Sequence, residues 1–149
     1  VNADPLADCV ATVYPLDRLE EMLSQADVLV LSVPHTPATE KMIGRRELAA
    51  LKPGAYLINI ARGAVIDEPA LIDALASGHL SGAALDVFAE EPLPPSSPFW
   101  EMPNVIVSPH SGSTSDSENR RLTDLFCDNL HRYLSNEPLR NVLQPDRYY

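Results

Sequence analysis

The chain has 149 residues, 45% of them hydrophobic and 21% charged, which is enough apolar material for the core of one soluble globular domain. Its formal net charge of -10 argues against nucleic acid and anionic membrane surfaces as partners, because both repel an acidic protein. No run of about 18 apolar residues occurs, so no membrane-spanning helix is expected.

Leu16, Leu19, Met22 and Leu23 recur at helical spacing and predict a helix over 16–23. The apolar run from Ala26 to Val33, closed by Pro34, predicts a strand buried on both faces of a parallel sheet. Residues 47–51 form a short helix stopped by Lys52-Pro53-Gly54, and residues 55–60 a second buried strand. Asp67 is expected to cap a helix that carries Pro69 in its first turn and stops at Gly78. Residues 82–88 and 104–107 read as two more strands, joined by an ordered proline-rich loop over 92–98. A long helix runs from about Ser115 to Leu134, with an apolar stripe of Leu122, Leu125, Phe126, Leu130 and Leu134. Cys127 lies next to that stripe and is expected to be buried and inert.

There is no internal repeat. The two cysteines, Cys9 and Cys127, lack metal-ligand spacing, so no metal site is expected and the setting reads as reduced and cytoplasmic. Val1-Asn2-Ala3-Asp4 has neither a basic region nor an apolar core behind it, so no secretory leader is expected, and the chain starts without Met, as if inside a longer protein.

Strands alternating with helices predict an α/β fold with a parallel sheet, in which ligands bind outside the strand carboxyl ends. Four unusual groups fall there. Arg62, in Asn59-Ile60-Ala61-Arg62-Gly63, offers two parallel donors to a carboxylate, although a surface ion pair explains it equally well. Asp86 lies inside an apolar run and needs partners. Glu91, held before Pro92, has the plainer reading of a solvated loop charge. His110, in Ser108-Pro109-His110-Ser111-Gly112, has the plainer reading of a structural histidine, which His35, His79 and His131 are expected to be. Together, Arg62, Glu91 and His110 supply an anion-binding cation, an acid and a base on one rim. A carboxylate beside an imidazole favours its protonated form and makes it a proton donor.

These motifs, in this order from about Ala26 to Val142, resemble the D-isomer-specific 2-hydroxyacid dehydrogenases, the group that includes glyoxylate/hydroxypyruvate reductases and D-3-phosphoglycerate dehydrogenases. The resemblance implies a Rossmann-like doubly wound sheet that is incomplete here, because the chain has no Gly-x-Gly-x-x-Gly turn to cradle a pyrophosphate and lacks most of a substrate domain. It implies a catalytic set of Arg62 on the substrate carboxylate, His110 as general acid/base and Glu91 hydrogen-bonded to that histidine. It further implies that Asp86 lies near the nicotinamide carboxamide, that Pro34 and Thr39 line the adenosine end, and that Val33, Ile60, Ala61, Arg62, His110, Gly112 and Ser113 touch the cofactor. Formate dehydrogenases carry glutamine at the Glu91 position, so glutamate fits chemistry in which a proton moves with the hydride.

Residues 1–115 would then be the second part of the NAD(P)-binding domain, and residues 116–149 a final helix and a return toward the substrate domain. The cofactor is NAD or NADP. Asp4, if it matches the acid that binds the adenosine ribose, favours NAD. The expected function is hydride transfer between NAD(P)H and a small 2-oxo acid in a cytoplasmic homodimer, and Trp100 resembles the glyoxylate/hydroxypyruvate subgroup. The alternatives are a non-enzymatic NAD(H)-binding protein of co-repressor type and an inactive fragment.

Overall fold

A computed structural model describes residues 10–143, so the expectations placed on Asp4 and Cys9 lie outside the described residues. Leu16–Arg18 make one 3-10 turn that runs into α1 (Leu19–Leu23). There follow β1 (Val28–Leu31), α2 (Arg45–Ala50), β2 (Tyr56–Asn59), α3 (Glu68–Ala76), β3 (Gly82–Leu85), β4 (Val105–Val107) and α4 (Glu118–Leu134). The four strands are parallel and lie side by side in chain order.

That order decides where the core sits. Parallel neighbours are joined by right-handed crossovers. When every crossover steps in the same direction, all of them land on one face. Here α1, α2 and α3 cover that face and bury Leu23, Leu48, Leu57, Leu71 and Leu80 completely or nearly so. Each such leucine contributes about 1.5–3 kcal/mol relative to an exposed one. The other face is uncovered among the described residues, and Val28, Val30 and Tyr56 are half exposed. β1 and β2 therefore alternate between more open and buried positions, which corrects the expectation of burial on both faces. Covering the second face requires a reversal of strand order, and these four strands contain none.

Local chemistry sets the helix ends. The Gly44 N–H donates to Glu47 Oε2 at 3.1 Å, closing the first turn of α2. Gly78, with φ 74°, stops α3 in the left-handed conformation that glycine adopts without strain. Asp67 occupies the position before α3, yet its side chain makes no capping bond. An N-cap side chain serves the second or third helical amide, and the second is Pro69, which has no N–H.

The last helix departs furthest from expectation. It starts at Glu118 and buries no residue. Leu122 is 60% exposed and Phe126 68%, and Cys127 is exposed rather than buried, because nothing among the described residues packs on the apolar stripe. The segment after it folds back through polar contacts: Asn129 donates to Arg140 O at 3.0 Å and accepts its N–H at 2.8 Å. Among the described residues no helix is long and apolar enough to cross a membrane.

Candidate active site

The register of the sheet puts the loops of interest at one level. Leu31, Asn59, Leu85 and Val107 are aligned across the four strands. One step further, Ile60 N–H donates to Leu31 O, Asp86 N–H to Asn59 O and Ser108 N–H to Leu85 O. The segments carrying Arg62, Asp86, Glu91 and His110 therefore leave the sheet from a common rim.

Buried Asn59 shapes the first of these loops. Its Oδ1 accepts Ala61 N–H at 3.0 Å and its Nδ2 donates to Arg62 O at 3.1 Å, so the chain turns as soon as β2 ends. Ile60 is left half exposed, while Ala61 is buried. Arg62 Nη1 donates to Ala61 O at 2.6 Å. Among the described residues no carboxylate forms an ion pair with Arg62, so the guanidinium keeps donors for another anion.

Asp86 is the organising carboxylate. Oδ1 accepts the Ser108 hydroxyl at 2.7 Å and Ser111 N–H at 2.9 Å, and Oδ2 accepts Gly112 N–H at 2.7 Å. The Ser108 hydroxyl chiefly holds its carboxyl below the usual range. Burial opposes the shift, and the Ser111 and Gly112 amides and the charge of His110 add to it. These bonds gather residues 108–112 on both sides of His110, which sits at φ 54°. A non-glycine residue persists in that region where its surroundings fix it, and histidine tolerates it better than most.

His110 and Glu91 meet directly. His110 Nδ1 lies 2.7 Å from Glu91 Oε2, and Glu91 Oε1 accepts Phe88 N–H at 2.9 Å. Partial burial pushes the Glu91 carboxyl up, but the His110 and Phe88 hydrogen bonds and the charges of His110 and Arg62 outweigh it and hold it below the usual glutamate value. The pair forms the polar end of a cleft of about 670 Å³, whose other walls include Phe88, Leu93, Trp100 and Val107. Arg62 does not line that cleft, although its charge acts on Glu91. The Trp100 indole is pinned by its Nε1–H, which donates to Pro94 O at 2.9 Å.

On the neighbouring loop, Thr39 Oγ1 donates to Pro34 O at 2.8 Å and accepts Thr36 N–H at 2.8 Å, so Pro34 and Thr39 are brought together after β1. Val33 packs against the core, while Gly112 and Ser113 are exposed beyond His110. The remaining described histidines have structural neighbours where any is resolved: His35 pairs with Glu40, and His79 Nε2 lies 3.1 Å from Leu48 O. Among the described residues no three His, Cys, Asp or Glu side chains gather as a metal-holding group. Sequence reasoning gave no role to Asn59, Ser108 or Glu68. The first two stood inside quoted motifs, but their hydrogen bonds have no signature in residue order.

The sequence profile of the D-isomer specific 2-hydroxyacid dehydrogenase NAD binding domain matches residues 2–112. A glyoxylate/hydroxypyruvate reductase B of Pectobacterium carotovorum subsp. carotovorum is 45% identical over 127 residues, 85% of this chain and 40% of that protein. D-3-phosphoglycerate dehydrogenase of Escherichia coli K12 is 42% identical over 125 residues, 81% of this chain and 30% of that protein. Among solved structures, a D-isomer specific 2-hydroxyacid dehydrogenase from Xanthobacter autotrophicus Py2 in complex with NADPH and MES aligns with a TM-score of 0.85 at 42% identity, covering 92% of this chain and 56% of that one. An NADPH-dependent glyoxylate/hydroxypyruvate reductase from Sinorhizobium meliloti in complex with NADP and sulfate aligns with a TM-score of 0.83 at 35% identity, covering 91% of this chain and 44% of that one. The chain thus spans less than half the length of the curated relatives it matches. A parallel Rossmann-like sheet, the matched profile and these likenesses agree, and the chain belongs to the D-isomer-specific 2-hydroxyacid dehydrogenase family, with residues 2–112 matching its NAD-binding domain.

Proposed function

We propose that the protein, in its whole form, transfers a hydride between NAD(P)H and a small 2-oxo acid, giving the (D)-2-hydroxy acid. The single observation that carries this reading is the contact of His110 Nδ1 with Glu91 Oε2 at 2.7 Å beside an apolar cleft, next to a loop that carries Arg62. With Nδ1 engaged, the other ring nitrogen of His110 makes no hydrogen bond among the described residues and faces its chemistry free of competitors. A histidine so oriented is the donor that ketone reduction needs, because the carbonyl oxygen takes up a proton as C2 takes up the hydride.

The residues present fit a nicotinamide cofactor in part. Asp86 Oδ1 accepts two donors and Oδ2 one, which leaves Oδ2 with capacity for an amide N–H. Ile60, Ala61, Gly112 and Ser113 stand on the same rim, and Val33, Pro34 and Thr39 form the neighbouring loop. The glycine-rich phosphate turn is not in these 149 residues. When bound, the cofactor supplies or accepts the hydride.

This chain's own residues do the rest. Arg62 binds the substrate carboxylate and orients the oxo group. His110 gives its proton to the carbonyl oxygen, or takes it back in oxidation. Glu91 fixes the imidazole tautomer and offsets the charge of the protonated ring. The apolar walls of Phe88, Leu93 and Trp100 exclude water and strengthen these interactions. In this reading residues 1–115 are the second part of the NAD(P)-binding domain and residues 116–149 lead toward the substrate domain. A cytoplasmic homodimer, NAD rather than NADP through Asp4, and glyoxylate or hydroxypyruvate as substrate through Trp100 go with it, supported by the resemblance.

The test is a steady-state assay of the whole protein with NADH or NADPH against a panel of 2-oxo acids. The expected result is cofactor oxidation with at least one acid, abolished in His110→Ala. No oxidation of either cofactor by any acid overturns the reading in favour of a binding protein on the same fold.

A further inference from the structure

Glu68, the first residue of α3, reaches out of its helix. Its Oε1 accepts the Ala89 N–H at 2.6 Å, across 21 residues of chain. The amide one residue earlier, Phe88 N–H, is held by Glu91 Oε1 at 2.9 Å, and the other oxygen of Glu91 meets His110 at 2.7 Å. Two carboxylates thus grip consecutive amides of one short segment. Ala89, Glu90 and Glu91 are exposed, and no strand or helix holds them. On the other side Gly63 packs against the Phe88 and Ala89 backbone.

An acid in the first turn of a helix is ordinarily explained by the positive end of the helix dipole. A carboxylate serving only that end has no reason to take an amide from a distant loop, and a charge-assisted bond of this kind is roughly twice as strong as a neutral one. We propose that Glu68 is a positioning residue: through the Ala89 N–H it fixes the backbone from which Glu91 reaches His110. The inference rests on the reading of Glu91 and His110 as the acid/base couple.

The experiment follows the 149-residue chain by NMR, using the titration of the Glu91 carboxyl and the His110 ring-nitrogen signals in Glu68→Ala, Glu68→Gln, Glu68→Asp and Glu91→Gln. Glutamine keeps an acceptor oxygen at full reach but loses the charge. Aspartate keeps the charge at the helix start but falls short of Ala89. Positioning predicts that Glu68→Gln preserves the low Glu91 midpoint, whereas Glu68→Asp and Glu68→Ala both let it rise toward the ordinary value of about 4.3 and alter the His110 signals. A purely helix-stabilising role predicts the reverse ranking, with aspartate the better substitute and the Glu91 titration unmoved while the urea midpoint falls. That outcome overturns the proposal, and should Glu68→Ala fail to fold, the Gln and Asp pair decides it alone. If Glu91→Gln leaves the His110 signals unchanged, the couple itself fails. If Glu91→Gln changes them and no Glu68 variant does, only the role of Glu68 fails.

Discussion

Gly112 donates its N–H to Asp86 Oδ2 at 2.7 Å, and a Cβ built on Gly112 would stand 2.8 Å from that same oxygen. The bond and the missing side chain are one requirement, because the amide reaches the carboxylate only where no methyl intervenes. Gly112→Ala is expected to break this bond and loosen the loop that holds His110 at φ 54°. The loss is on the order of 1–3 kcal/mol, the cost of depriving a buried acceptor of its donor. Chemical denaturation measures that loss, and His110 NMR signals identical to those of the parent would contradict the coupling.

The same carboxylate sets a pH dependence. Asp86 has a folded-state value held below its unfolded one of about 3.9, chiefly by the Ser108 hydroxyl, with burial opposing and the Ser111 and Gly112 amides assisting. A depressed carboxyl stabilises the fold above the unfolded value and loses that contribution as pH falls through the folded one. Stability should therefore be level above about pH 5 and fall below about pH 4. Glu91 is lowered as well and acts in the same direction. In Asp86→Asn the acid limb should flatten and the plateau drop. Urea midpoints across pH 2.5–7 test this, and an acid limb as steep in the variant as in the parent would assign the effect elsewhere.

Which polar groups leave the sheet at its common edge was legible in residue order, and the reason is physical. A parallel strand buried on its inner face leaves a short apolar run, and polar groups that follow such runs stand at the strand carboxyl ends. Arg62, Asp86, Glu91 and His110 were found that way. What residue order cannot carry is which partner a side chain selects among several within reach. The place of Asp86 in an apolar run says that it needs partners, and the fold selects Ser108, Ser111 and Gly112 to fill that need. Glu68 was invisible because an acid beside Pro69 at a helix start already has a sufficient local explanation. Cys127 is exposed for a different reason: an apolar stripe reports that a helix can be covered, and not that it is covered in the described residues.

The exposed stripe yields a test. Cys127 is exposed on α4, one residue from Phe126, which is itself 68% exposed. A thiol reagent should modify Cys127 in the folded 149-residue chain at a rate near that of an unstructured peptide. Peptide mapping by mass spectrometry separates it from Cys9. Protection that disappears only in denaturant would mean that the apolar stripe is covered in solution.

The sequence also bounds cofactor affinity. None of the six glycines falls in a Gly-x-Gly-x-x-Gly pattern, so these 149 residues hold no phosphate cradle of that kind. NADH added to the 149-residue chain should bind more weakly than about 1 μM, a threshold worth roughly -8 kcal/mol. Fluorescence titration or calorimetry gives the constant, and micromolar or tighter binding would mean that the rim alone suffices.

Gly63 provides the sharpest packing test. A Cβ there would lie 1.9 Å from the Phe88 carbonyl carbon, 2.2 Å from its oxygen and 2.3 Å from Ala89 N. All three neighbours are backbone, so no rotamer change relieves the clash, and the loop after β2 must separate from the loop after β3. Overpacking in a compliant core costs about 1–3 kcal/mol, and here the cost should reach or exceed the top of that range. Gly63→Ala should also raise the Glu91 titration midpoint, because the Phe88 N–H that helps to hold it low moves with the displaced backbone. A variant within about 0.5 kcal/mol of the parent, the range of ordinary surface substitutions, would show that the two loops do not touch. Stability lost with the Glu91 titration unchanged would separate the packing of Arg62's loop from the geometry of the Glu91–His110 pair.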